Sequence, residues 1–528
     1  MSLDAPLLDV VSSDASDLPS PKAGKTCKRV NSNVIAVLML VGHTGLADSV
    51  WGGTVLVAYV YALTGQSNTM AGVLEAMSGV VQLITALPVG YLADRWGRGP
   101  VCKVGAITLL AACACTAVAV ENPMGWSNTA VYWTLCFAMC VWGICEGVVW
   151  GPAQALFADS VVEGERSAAY TFLMLAYMLP NALGPAVCVG LFAVWGDSWS
   201  LSEIRLPFIV GICLEIPCAL WLLVMSDSKA LKEPGTKEEE EDDDDNDSTT
   251  EGGKETKEVE DGTEHTEEEA VAVAVRPAEA ISEQNPFGAA KPAIADDASP
   301  PPAASSCGCL RKAHIPYILF SSDMCTALAS GMTVKFFPLF FKNDLELAPS
   351  RVQLIYVFTP ISIALFSVAA QAMSKRCKVG RVQTVLLMTF FGVSLLVALA
   401  ILFDGGGFGD NSKRNTGWRS AWYVIVPVYI ARTSFMNCTY PLQESIMMDS
   451  VPKSTRARWK SLESVSTLGW CGSAVLGGVL ADKFGYTFSF LLTAAMQAFG
   501  GCVFALLLPL VPREEGSGGG EKKDEEET

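Results

Sequence analysis

Long apolar segments alternate with short polar connections along this chain, at about 34–62, 70–92, 100–120, 130–157, 167–195 and 206–226, then 314–341, 352–373, 382–403, 420–447, 460–480 and 486–511. Each is long enough for the roughly 20 apolar residues that a bilayer-crossing helix needs, so the pattern predicts twelve transmembrane α-helices. They fall into two sets of six. Between the sets lies a polar stretch, 227–312, that carries the acidic run Glu238–Asp245 and Pro300–Pro302. Such a composition cannot bury apolar surface and reads as a disordered linker. The expected organisation is a disordered N-terminus over 1–32, a six-helix bundle over 33–226, the acidic linker over 227–312, a second six-helix bundle over 313–511, and an acidic tail over 512–528. The fold class is an all-α membrane protein.

Composition sharpens this picture. Apolar residues make up 51% of the chain and charged residues 17%, although the linker is almost wholly polar, so the remainder belongs in lipid. The net charge of −18 is a property of the linker, which alone carries −15, and of the tail, not of the membrane body. It therefore identifies no basic surface for nucleic acid. Seventeen cysteines sit mostly in apolar stretches, where thiols act as small hydrophobes and imply no disulfide framework. The start lacks the basic-then-apolar form of a cleaved signal peptide. Lys and Arg concentrate in the connections that share a side with both termini and the linker, which predicts that these face the cytosol. Whether the membrane is the plasma membrane or an endolysosomal or vacuolar one stays open.

One connection is distinctive. Gly90-Tyr-Leu-Ala-Asp94-Arg95-Trp-Gly97-Arg98 follows the second apolar segment and places one acid and two arginines in a tight glycine turn. It resembles the signature loop between helices 2 and 3 of the major facilitator superfamily of secondary transporters. The resemblance implies that Asp94 faces the positive N-terminal end of the eleventh helix, near Lys460 and Ser461, and that Arg98 pairs with Asp159. Such contacts would latch the cytosolic side and break when it opens. Two internal echoes support a repeated architecture. Asp159-Ser-Val161 precedes Arg166 as Asp449-Ser-Val451 precedes Arg456, and the first loop recurs as Gly478-Val-Leu-Ala-Asp482-Lys-Phe-Gly485. The counterpart Ser374–Arg381 keeps basic charge and glycine without the acid.

Ionisable residues inside apolar spans are costly and are read as functional by default. They are His43 and Asp48 in the first segment, Glu75 in the second, Glu146 in the fourth, Glu215 in the sixth, Asp323 and Lys335 in the seventh, and Arg432 and Glu444 in the tenth. The first, fourth, seventh and tenth helices line the central cavity in the family resembled. Trp142, Glu146 and Trp150 share one helix face by their spacing of four. Glu146 either exchanges a proton as the cavity switches sides or stands in a static pair with Arg432 or Lys335. Arg432 cannot shed its charge, so it holds an anionic group of the solute or one of these acids. Asp48, with Trp51 one turn on, Asp323 and Glu444 are further cavity candidates. Lys335 is read as snorkelling, and Glu75 and Glu215 as making structural hydrogen bonds.

Gly151-Pro152, Pro180, Gly184-Pro185 and Pro441 mark hinges. Gly184-Pro185 is similar to the helix-5 motif of drug–proton antiporters, but Cys188 and Val189 stand where that motif has a glycine pair. No phosphate-cradling Gly-Lys-Ser/Thr loop is present. The expectation is a non-enzymatic, cofactor-free and metal-free secondary transporter of a small organic solute, coupled to protons, in the lipid bilayer. The alternatives are a proton-antiport exporter of amphipathic compounds, and a transporter-like receptor or scaffold whose acidic linker recruits cytosolic proteins.

Overall fold

The computed structural model describes residues 31–161, 166–231, 310–375, 377, 379–404, 422–451, 459 and 463–511. The acidic run Glu238–Asp245, Arg456, Lys460 and Ser461 lie outside these residues, as do the side chains of Asp94 and Arg166. All described elements are helical. In chain order they are α1 (Ser32–Trp51), α2 (Thr54–Leu63), α3 (Asn68–Trp96), α4 (Arg98–Glu121), α5 (Asn128–Asp159), α6 (Arg166–Trp195), α7 (Leu201–Val224), α8 (Ile315–Gly331), α9 (Phe337–Asn343), α10 (Pro349–Lys375), α11 (Arg381–Asp404), α12 (Trp422–Asn437), α13 (Tyr440–Ser450), α14 (Glu463–Phe484) and α15 (Tyr486–Ala505). Among the described residues, eleven spans are long and apolar enough to cross a membrane. The tenth is split into α12 and α13, and completes twelve. Large apolar residues such as Ile84, Leu87, Phe137, Leu365 and Val368 are exposed on the outside, as lipid contact requires.

Three spans are broken, and local chemistry explains each break. Gly52 and Gly53 separate α1 from α2. A 3-10 turn at Val334–Phe336 separates α8 from α9, whose first turn holds Pro338. Cys438 and Thr439 separate α12 from α13, whose first turn holds Pro441. A proline in the first helical turn removes a donor that the helix could not use, and so starts a new helix cleanly. The carbonyls freed at the second break find partners on α15. Ser489 donates to Met332 O at 3.2 Å, Thr493 donates to Ala329 O at 3.1 Å, and the hydroxyls of Thr333 and Thr493 share a hydrogen bond. This is how a broken helix remains tolerable at membrane depth.

Short loops join the second span to the third, the eighth to the ninth and the eleventh to the twelfth. Gly97, Gly380 and Gly485 stand in them with φ of +89°, +94° and +82°. The same residue type meets the same backbone need three times, because a side chain is strained at positive φ. Residues 227–231, which composition assigns to the linker, are fastened to the N-terminal bundle. Asp227 accepts from the backbone N–H groups of Arg98 (2.9 Å) and Gly99 (2.7 Å), capping α4, and Leu231 N–H donates to Asp159 O at 3.0 Å.

Twelve spans return the chain to the side from which it set out, so Ser32 and Ala505 mark one end of the helical body, the proximal end. At the opposite, distal end the two bundles share one apolar core, in which Phe336–Phe341, Leu345 and Leu347 join the cluster of the N-terminal bundle. At the proximal end, Ile315, Val382, Ile446 and Phe504 belong to a separate C-terminal cluster. The bundles meet along α3 with α14 and α6 with α10. Glycines make this approach possible. A Cβ on Gly72 would lie 2.3 Å from Ala474 O, and one on Gly478 would lie 2.5 Å from Asn68 O.

Candidate functional site

Three charged sites lie within or between the bundles. The first is a carboxyl cluster in the N-terminal bundle. The carboxyl groups of Asp48 on α1 and Glu215 on α7 face each other within hydrogen-bonding reach. Ionised carboxylates only accept, so a hydrogen bond between them forms when one of the two holds a hydrogen. Glu215 is buried, and its Oε1 accepts from Trp51 Nε1 at 3.2 Å. The Trp51 indole lies 5.0 Å from that of Trp142, whose Nε1 donates to Thr116 Oγ1 at 3.0 Å. Trp51 and Trp142 are thus core residues that fix the carboxyl pair, while Glu146 and Trp150 remain partly exposed. Glu146 stands within electrostatic reach of Asp48, Lys335 and Glu75.

The second site joins the bundles. Lys335, in the break between α8 and α9, places its Nζ 2.9 Å from Glu75 Oε2 on α3, with the two side chains 18% and 11% exposed. The ammonium also lies 4.5 Å from the centroid of the Trp470 ring. Lys335 therefore does not snorkel, and Glu75 makes an ion pair across the bundles. The other carboxylate oxygen, Glu75 Oε1, is buried without a partner.

The third is a cavity of about 300 Å³ in the C-terminal bundle, beside the breaks in the seventh and tenth spans. Arg432 lines it and is 2% exposed. Among the described residues no carboxylate pairs with it. Its Nη2 donates to Gln497 Oε1 at 3.3 Å, its guanidinium lies 5.7 Å from the Phe337 ring centroid, and its buried Nε has no partner. Desolvating one ion costs several kcal/mol even after relaxation. A cation–π contact in a desolvated setting returns about 2 kcal/mol or more, and one charge-assisted hydrogen bond about 1.5–3 kcal/mol. What the protein leaves unmet among the described residues is a counter-ion and a partner for the buried Nε. Asp323 is exposed on α8 and Glu444 half-buried on α13, and neither is among the residues lining this cavity.

The ends of the helices carry a further set of contacts. At the proximal end Arg98 forms an ion pair with Asp159, and in the other half Arg381 Nη1 lies 2.5 Å from Asp449 Oδ2. At the distal end Asp482, on the C-terminal bundle, accepts from the N-terminal end of α3. Its donors are Asn68 N–H (2.9 Å), Asn68 Nδ2 (2.8 Å), Thr69 N–H (2.8 Å) and Thr69 Oγ1 (2.7 Å). Tyr486 donates to Asn68 Oδ1 at 2.9 Å, Asn343 Nδ2 donates to Tyr61 at 2.9 Å, and Trp199 Nε1 donates to Leu347 O at 2.8 Å. Asp197 caps the start of α10 through Ser350, at 2.8 Å from its N–H and 2.6 Å from its hydroxyl. The distal rim is closed by these bonds. Asp482, Asn68, Asp197 and Asp227 are absent from the sequence-based site. Asp482 alone had a signal, since it occupies the position of Asp94 in the repeated loop.

Comparison with known proteins adds family to geometry. The family model described as Major Facilitator Superfamily matches residues 39–292 and 319–527. The inner membrane transport protein YajR of Escherichia coli (strain K12) is 26% identical over 183 residues, 34% of this chain, and the match spans only 36% of that relative's length. The solved D-xylose-proton symporter superposes with a TM-score of 0.60 at 13% identity, covering 90% of this chain and 96% of the other. A bacterial homologue of the iron transporter ferroportin in an inward-facing state gives 0.55 at 12%, covering 91% and 99%. At these identities the two solved structures establish a shared fold.

Proposed function

The chain belongs to the major facilitator superfamily and is a membrane transporter, and we propose that it moves a small organic solute by proton-driven alternating access of its two bundles. The observation that carries this reading is the Asp48–Glu215 carboxyl pair, a hydrogen-holding group set inside the N-terminal bundle with Glu146 near it. A pair that gains and loses one hydrogen as the cavity changes sides couples proton flow to the cycle. Proton symport in a protein of the same fold supports this choice. In this reading the proximal end faces the cytosol, the side to which the Lys and Arg distribution assigns it. The closed distal rim then makes this an inward-open arrangement.

Reconstitution in vesicles with an entrapped pH dye tests the proposal, using a solute first identified by its thermal stabilisation of the purified protein. Solute addition should move protons, and an imposed gradient should concentrate solute. Solute uptake without proton flux would remove the coupling, and binding without uptake under any gradient would make the protein a receptor.

The distal contacts, which join the two bundles, act as latches. The proximal Arg98–Asp159 pair instead joins α4 to α5 within one bundle and stays formed in this inward-open arrangement, so the expectation that it breaks when the cytosolic side opens is not met. Arg98 and Asp159 are 29% and 46% exposed, so their pairing contributes less than about 1 kcal/mol to stability. Its role is to hold the loop between α3 and α4 against the end of α5 while the bundle moves. The Arg98→Asp change should leave the melting temperature nearly unaltered and slow solute uptake several-fold. Combining it with Asp159→Arg should restore uptake, and a double variant as slow as the single one would argue against a role for the pair.

A further inference from the structure

We propose that the cavity at Arg432 is the anion subsite of the transported solute, and that the solute is a small organic anion with one carboxylate or phosphate group on an apolar or ring-shaped body. This rests on the reading of the chain as a solute transporter and adds the class of its cargo.

The argument begins with an unmet charge. A guanidinium presents five N–H donors in a planar fork and stays protonated. Among the described residues only one of them is used, in the 3.3 Å bond to the neutral amide of Gln497, and the buried Nε has no partner. The other charges that could compensate it are engaged elsewhere. Glu75 pairs with Lys335, Asp48 and Glu215 face each other in the other bundle, and Glu146 stands within reach of Asp48, Lys335 and Glu75 rather than of Arg432. No acidic residue lines the cavity, which leaves no counterpart for a cationic solute.

The shape fits an anion whose body is apolar. A forked guanidinium matches a carboxylate or phosphate in bidentate geometry. Phe337, Tyr429 and Trp470 supply aromatic walls, with the rings of Phe337 and Tyr429 4.5 Å apart. A volume of about 300 Å³ lies at the small end of ligand pockets, which limits the cargo to metabolite size. Trp470 also carries the Lys335 ammonium on its ring, so an anion seated here abuts the ion pair that bridges the bundles. Binding would thus be felt where the distal side closes.

The test is equilibrium binding to the full-length purified protein with no gradient, so that a failure of proton coupling cannot affect it. The probes are benzoate, phenyl phosphate, neutral benzamide and cationic benzylammonium, read by thermal shift and tryptophan fluorescence. Benzoate or phenyl phosphate should stabilise the protein in a dose-dependent way, and the stronger of the two identifies the head group. Benzamide and benzylammonium should not stabilise it. The Arg432→Gln change should weaken anion binding roughly 10- to 100-fold, and Arg432→Lys less. Gln497→Glu gives a second variant that needs no removal of the arginine. It supplies a carboxylate beside the guanidinium, and should raise the melting temperature while abolishing the anion response. Benzamide binding as well as benzoate, no response to either anion, or anion binding undiminished in Gln497→Glu would overturn the proposal. Anion binding without vesicle uptake would instead count against the transport reading and leave the subsite in place.

Discussion

Replacing Glu75 by Gln should destabilise the distally closed protein by about 3–5 kcal/mol, the largest stability loss expected for any single change in the membrane body. The replacement strands the Lys335 ammonium, which is 18% exposed and has its carboxylate partner at 2.9 Å. The Trp470 ring beneath it returns on the order of 2 kcal/mol and supplies no opposite charge, so it does not replace the lost carboxylate. Removing both charges, as in Glu75→Leu with Lys335→Met, should recover most of the loss, because the intact pair is itself poorly solvated and leaves Glu75 Oε1 unbonded. Thermal denaturation of the two single variants and the double variant completes the cycle. A Glu75→Gln protein within 1 kcal/mol of the parent, on the order of a surface pair, would show that the contact carries no load.

The second large effect concerns driving force. If one proton accompanies each solute, one unit of pH difference stores about 1.4 kcal/mol, enough for roughly tenfold accumulation. Asp48→Asn should reduce that ratio to about one and leave solute exchange at equal pH intact. A carboxamide can still hydrogen-bond to Glu215 but cannot release a hydrogen to the cycle. Glu215 also keeps its bond from Trp51, so the local packing survives. Glu215→Gln should act in the same way. Vesicles loaded to equal volume and assayed with and without the gradient supply the comparison, and undiminished accumulation in both variants would remove the pair from coupling.

The large elements of this protein are legible because they are one-dimensional. Lipid demands apolar lengths, and those lengths mark every span, including the one that Cys438 and Thr439 interrupt. Repetition is legible too, since the spacing from Asp159 to Arg166 recurs from Asp449 to Arg456. What the sequence hides is rotation about each helix. Trp142 shares a spacing of four with Glu146, yet its indole turns to Thr116 in the bundle interior. Glu75 and Glu215 lie on helices that the family pattern places away from the cavity, and only three-dimensional proximity joins them to Lys335 and Asp48. Capping is hidden for a related reason. Asp482 serves backbone donors of Asn68 and Thr69, and backbone donors look alike at every position of a sequence.

The interrupted seventh span has one more implication. Its loose carbonyls are held by Ser489 and Thr493, and Ser330 by Gln497, all on the last helix of the fold. That last helix is therefore the splint on which the kink is set. Trimming a single hydroxyl there would reshape a binding wall that it never touches, so surveys ranking positions by distance to cargo will overlook it.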